Sequence, residues 1–194
     1  MTKIILGTAS PYRRAAFKNL GIDFEAEASR VDESQIERGN PEKLVSQLAK
    51  LKAKTVAKNH PDAVIIGMDS VGYFNGQILE KPKSRQEAFR RIKSLSGKPH
   101  EFYTGIYVIN AANKKTAAKI IKSKIWLRKL SDSEINRYLD QDPNYNTYAI
   151  GFDPVRHISS SFAIRLVGSY NNYLIGIPLE VLPEMLKRVG YKFQ

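Results

Sequence analysis

Six consecutive apolar residues, Ala63–Met68 (AVIIGM), followed directly by Asp69, constrain the fold more than any other part of this chain. An apolar run of this length that does not alternate with polar residues reads as a fully buried strand, the kind found in mixed α/β folds. Lys3–Leu6 reads as a second buried strand, and Phe24–Ala28 is a third candidate. Between them the sequence supplies helices. Pro11–Leu20 is predicted helical, with Gly21 just past its end. Pro41 to about Lys58 is a longer helix, capped by Asn40 and carrying Pro41 at its first position. Its residues Leu44, Val45, Leu48, Leu51 and Val56 keep near-helical spacing.

The second half of the chain continues the alternation. Val71–Phe74 and Gln77–Leu79 flank Asn75-Gly76, the strongest two-residue hairpin signal. Ser84 caps a helix that runs to about Leu95 and stops at Ser96-Gly97. Phe102–Asn110 and Ala117–Leu127 are predicted as long antiparallel strands. In the second, Ile121, Ser123, Ile125 and Leu127 share one face while Lys122, Lys124, Trp126 and Arg128 share the other. Ser131 and Glu134 form a capping box for a helix through Tyr138. Phe162–Val167 is a last strand and Pro178 to about Val189 a last helix. No linker and no repeat interrupts the 194 residues, which suit one domain or two small lobes.

At 42% hydrophobic and 26% charged residues, the chain can bury a core and does not read as disordered. It contains no cysteine, which excludes disulfides and cysteine-based metal sites and fits an expected cytoplasmic setting. The amino terminus opens on a strand, so no signal peptide is expected. No apolar run approaches the roughly 18 residues that cross a bilayer, so no membrane partner is expected either. The formal net charge of +12 points to a polyanionic partner, a nucleotide or nucleic acid. The lysines are spread along the chain, so the nucleic-acid contact they imply is weak and non-specific.

Several residues stand out for their chemistry. Ser10-Pro11 starts a helix whose unpaired N–H groups favour an anion, and Arg13 and Arg14 place positive charge where a helix least welcomes it. Being neighbours, the two arginines point about 100° apart, so only one is expected to face a cleft. Asp69 follows a buried strand at its carboxyl end, where open α/β sheets hold ligands. A carboxylate there can bind a divalent cation or accept a proton from water. Asp32-Glu33 lies in a polar loop able to offer oxygen ligands to magnesium. Lys52 belongs to a lysine-rich helix, and Lys81 in "EKP" has its direction fixed by Pro82. His60, His100 and His157 lack metal-ligand spacing and read as ordinary surface or loop histidines. No G-x-S-x-G, GxxxxGK[ST] or GxGxxG occurs. Taken singly, each of these features also has a plain structural reading: a capped surface helix, a turn aspartate, solvated charges.

Together and in order they form a pattern. The chain resembles the Maf-like family of nucleoside triphosphate pyrophosphatases through "TASPYRRAAF", "VDES" at 31–34, "LAKLKA" at 48–53, "IIGMDSV" at 65–71, "EKP" at 80–82, "LSGKPHEFYTG" at 95–105, "LSDSEINRY" at 130–138 and "GSYNNYLIGIPLEVL" at 168–182. The resemblance implies an α/β fold with a mixed twisted sheet and flanking helices, elongated and two-lobed with a central cleft, often dimeric. It implies hydrolysis of a nucleoside triphosphate to monophosphate and pyrophosphate with Mg or Mn. Carried over by position, Asp69 is the proton acceptor, and Ser10, Arg13, Lys52 and Lys81 hold the phosphates. Glu33 joins Asp69 at the metal. The charge inventory suits phosphoryl transfer, which needs positioning and neutralisation more than covalent chemistry.

Three positions that the resemblance links to base choice depart from the usual pattern. Tyr12 replaces the first arginine of Ser-Pro-Arg-Arg, which resembles the branch acting on methylated guanosine triphosphate, and its ring can stack on a base. Ser70 is closer to the threonine of the pyrimidine branch. Arg156, in "GFDPVRH", stands where other members carry glutamine or an acid. The three point in different directions, so the residues leave the base open. A non-catalytic nucleic-acid-binding or division-regulatory protein on the same fold is the alternative reading.

Overall fold

The computed structural model describes residues 2–193, which form two compact units. The first comprises the residues through Ser70, Thr104–Ile121 and those from Ile175 onward; the second comprises Val71–Tyr103 and Lys122–Leu174. In chain order the elements are β1 (Ile4–Gly7), α1 (Pro11–Phe17), β2 (Glu25–Ala26), α2 (Pro41–Ala57), β3 (Val64–Phe74), β4 (Gln77–Leu79), α3 (Arg85–Leu95), β5 (Pro99–Asn110), β6 (Thr116–Leu127), α4 (Asp132–Gln141), β7 (Ala163–Gly168), α5 (Tyr170–Ile175) and α6 (Leu182–Arg188). The strands hydrogen-bond in the order β2-β1-β3-β5-β6-β7, with β4 also on β3. The class is mixed α/β, as the sequence predicts.

In the first unit β1 pairs in parallel with both β2 and β3. Strand alternation sorts the side chains by face. Ile4, Leu6, Val64, Ile66 and Met68 pack with Ala16 and Phe17 of α1 and with Leu182, Met185 and Leu186 of α6. Ile5 and Ile65 pack with Ala53 and Val56 of α2. The strands are therefore covered on both faces, which is why their sequences are apolar without alternation.

In the second unit, β4 pairs antiparallel with the end of β3, and β7 antiparallel with β6. Asn75 and Gly76 both have positive φ (47° and 77°), the backbone a two-residue primed turn demands. Helices α3 and α4 supply Ala88, Ile92, Leu95, Ile135, Tyr138 and Leu139 to a core shared with Phe102, Ile125, Leu127, Phe152 and Phe162. The Tyr138 hydroxyl donates to Asp142 (2.7 Å) and accepts from the Asp153 amide (2.8 Å), so its burial leaves no polar debt. The capping box of Ser131 and Glu134 is present.

Some expectations need correction. The strand after Ala63 does not stop before Asp69 but runs on to Phe74, so Asp69 lies mid-strand rather than at a carboxyl end. Strand β1 pairs with β3 as far as Gly67, and β4 pairs with it from Gly72. Helix α1 is shorter than predicted, its last turn tightening to a 3₁₀ turn over Lys18–Leu20. The last helix begins at Leu182, after a 3₁₀ turn over Leu179–Val181, and α5 was not foreseen. His100 is no surface histidine: β5 carries it into the interior at 2% exposure.

Candidate active site

The first unit gathers Asp69, Lys52, Glu33, Arg13 and Ser70. Helix α2 lies close on the sheet because Gly67 of β3 and Gly105 of β5 present no side chain to it. Gly67 and Asp69, two residues apart, face the same way. The glycine admits α2 and the aspartate meets what α2 brings. That is Lys52, whose Nζ donates to Asp69 Oδ1 at 2.6 Å and pairs with Glu33 Oε1 at 2.8 Å. Glu33 also faces Arg38 at 3.6 Å. The loop carrying Glu33 is turned by Asp32, whose Oδ1 accepts the Ser34 amide at 2.9 Å.

From α1, Arg13 enters on the opposite side of β3. Its Nε donates to the Gly176 carbonyl (2.9 Å), Nη1 to the Met68 carbonyl (3.1 Å) and Nη2 to Ser70 Oγ (2.6 Å). Arg14, the next residue, is exposed. Ser10 is the N-cap of α1, its Oγ accepting the Arg13 amide at 3.3 Å. Ser70 Oγ also shares a 2.6 Å hydrogen bond with Thr104 Oγ1, a fully buried residue of β5. Sequence reasoning missed Thr104 and Gly176. No local signal marks them, because their partners are 34 and 163 residues away.

Electrostatics follow from burial. Desolvation pushes the Asp69 carboxyl above its ordinary range, with Lys52 and Arg13 pulling against it. Burial likewise pulls the Arg13 guanidinium below its usual value, opposed by Asp69. A carboxylate with raised proton affinity beside two cations is suited to accept a proton from water.

The remaining predicted residues are placed as follows. Tyr12 is half-buried on α1. Lys81 and Arg156 belong to the second unit and are exposed, with Arg156 Nε 3.7 Å from Asp153. Among the described residues no group of three or more His, Cys, Asp or Glu is placed to hold a metal ion, and no helix is long and apolar enough to cross a membrane.

A HAM1 protein from Coxiella burnetii shares the fold, with a TM-score of 0.52 at 14% identity, over 96% of this chain and 99% of that one. The family model for Maf-like proteins matches residues 3–189, and the chain belongs to that family. A dTTP/UTP pyrophosphatase from Thermoanaerobacter sp. (strain X514) is 35% identical over 96% of each chain. A 7-methyl-GTP pyrophosphatase from Nitrosococcus oceani is 32% identical over 97% of this chain and 94% of its own length.

Proposed function

We propose that the protein hydrolyses a nucleoside triphosphate to the monophosphate and pyrophosphate. The observation that carries this reading is the Lys52 ammonium held between the carboxylates of Glu33 and Asp69. The names of relatives 32–36% identical over nearly the whole chain support it.

In this reading the Asp69 carboxylate takes a proton from a water whose oxygen bonds to the α-phosphorus. The bond from that phosphorus to the bridging oxygen breaks, and pyrophosphate leaves with the electron pair. Lys52 holds phosphate oxygens together with Ser10, and fixed cations of this kind neutralise charge without reorganising. Arg13 adds its charge to the same region.

Glu33 and Asp69 are the residues that would hold a divalent cation. Their hard oxygen donors suit Mg or Mn, and magnesium is commonly held by one or two carboxylates with substrate phosphates completing its shell. The two-acid set fits that pattern. When bound, the cation supplies further neutralisation of the phosphates.

The substrate class proposed is a pyrimidine or modified purine triphosphate, with Tyr12 reading the base. Association into a homodimer belongs to the same proposal. It is supported by the edge strand β7, which exposes Ile164 (67%) and Val167 (52%). The +12 charge supports, beside this, weak contact with nucleic acid.

The test is pyrophosphate release from a panel of canonical and modified triphosphates with Mg or Mn. Metal-dependent release, abolished in Asp69→Asn with an unchanged circular dichroism spectrum, is expected. Release from no member of the panel, or full activity in Asp69→Asn, overturns the reading.

A further inference from the structure

We infer that Arg13 is a positioning residue for Asp69, gripping the chain on either side of that carboxylate rather than binding substrate phosphate. The inference rests on the reading of Asp69 as proton acceptor. Its basis is where the guanidinium spends its donors. One goes to the carbonyl of Met68, the residue before Asp69, and one to the hydroxyl of Ser70, the residue after. A third, Nε, goes to the carbonyl of Gly176, just past α5. Three of the five N–H donors are thus directed at protein acceptors.

Two further observations favour a clamp. With Nε committed to Gly176, the side-on fork by which arginine grips phosphate in parallel is no longer complete. Ser70 is itself anchored, by Thr104 of β5, so the guanidinium is tied to a group that cannot follow it outward. Gly176 is shaped to the same contact: its φ is +62°, and an added Cβ would lie 3.3 Å from Ser70 Oγ and 3.6 Å from Arg13 Nη2.

Asp69 and Ser70 fall between the end of the β1 pairing and the start of the β4 pairing. Lys52 reaches Asp69 from α2 on one face of the strand, and Arg13 holds the strand from the other. A point-charge lysine at position 13 cannot reach three acceptors laid out for a planar fork.

The two roles separate in kinetics. A clamp acts on turnover, because a small misplacement of a catalytic group costs about 100-fold. A phosphate ligand acts on binding. Arg13→Ala and Arg13→Lys are expected to lower kcat by about 100-fold. The dissociation constant of a non-hydrolysable α,β-imido triphosphate should stay within about threefold, a change too small for a lost charged contact. Analogue binding weakened tenfold or more with kcat retained overturns the inference.

Should the Arg13 variants fail to fold, Ser70→Ala, which removes a single clamp contact, decides: reduced kcat with unchanged analogue binding supports the clamp, and unchanged kcat overturns it. Hydrogen exchange over residues 68–71 reads the clamp without any activity. It should accelerate in Arg13→Ala and in Ser70→Ala, and unchanged exchange in the folded variants overturns the clamp. A wild-type protein that hydrolyses none of the panel overturns the catalytic reading, whatever the exchange shows.

Discussion

Gly67 and Ala49 meet with no side chain between them: a Cβ on Gly67 would lie 2.3 Å from the Ala49 carbonyl oxygen and 2.6 Å from the Ala53 amide nitrogen. Gly105 stands in the same relation to Val45, 2.2 Å from its carbonyl oxygen. These two close approaches set the height of α2 above the sheet, and so the reach of Lys52 to Asp69. Each obstacle is helix backbone, which cannot rotate away as a side chain would.

Gly67→Ala and Gly105→Ala should therefore each destabilise by about 3 kcal/mol or more, at the upper end of overpacking effects. Gly39→Ala is the contrast. Its nearest neighbour is the Glu37 carboxylate at 3.5 Å and its φ is not positive, so it should change stability by less than about 1 kcal/mol. Urea midpoints of the three variants check the order.

His100 predicts an acid sensitivity. It is buried in β5, neither ring nitrogen meets a hydrogen-bond partner among the described residues, and desolvation lowers its pKa from 6.5 to about 4. Above pH 6.5 the ring is neutral folded or unfolded, and its full contribution to stability is present. Below 6.5 only the unfolded chain takes up the proton, so stability is lost as pH falls towards 4. The full loss is about 3 kcal/mol. His100→Leu should flatten this part of the stability–pH curve, measured by chemical denaturation between pH 7 and pH 4.

Removing Lys52 leaves Asp69 and Glu33 without the cation they share. Lys52→Met should lower kcat/KM by at least about 100-fold, the scale of losing one charged donor at a site of developing charge. Because Lys52 supports the ionised form of Asp69, the variant should retain more activity at higher metal concentration, where a divalent cation compensates the acid pair. Titration of activity against Mg checks both.

The capping box of α4 gives a purely local prediction. Ser131 Oγ receives the Glu134 amide while Glu134 receives the Ser131 amide, and Glu134 also meets Arg128 at 2.7 Å. Ser131→Ala should cost about 1 kcal/mol. A thermal melt reads it, and activity per folded molecule should not change.

Features carried by a few adjacent residues were legible in the chain. Asn40-Pro41 starts α2, Ser84 starts α3, Ser131 with Glu134 starts α4, and Asn75-Gly76 turns β3 into β4. In each, the residues that make the signal also make the hydrogen bond or adopt the dihedral. The face of β6 was legible for a similar reason: Ser123, Ile125 and Leu127 are buried while Lys122 and Lys124 are exposed, a period-two pattern that any covered strand must show.

The end of the apolar run at Met68 was less informative. A polar pair can close a strand or sit in its middle, and pairing with β4 rather than propensity carries β3 on to Phe74. His100 could not be placed inside by its type, because a histidine's burial depends on what packs over it.

The sequence by itself determined the α/β class and most of the helix starts and turns. Those follow from capping, patterning and turn chemistry, which act over a few residues. Only the tertiary structure decided that Lys52 bridges Glu33 and Asp69, and that Arg13 turns inward onto Met68, Ser70 and Gly176 while Arg14 faces solvent. A guanidinium goes to whatever acceptors the fold brings within 3 Å, and here one of those lies 163 residues along the chain, beyond any local pattern.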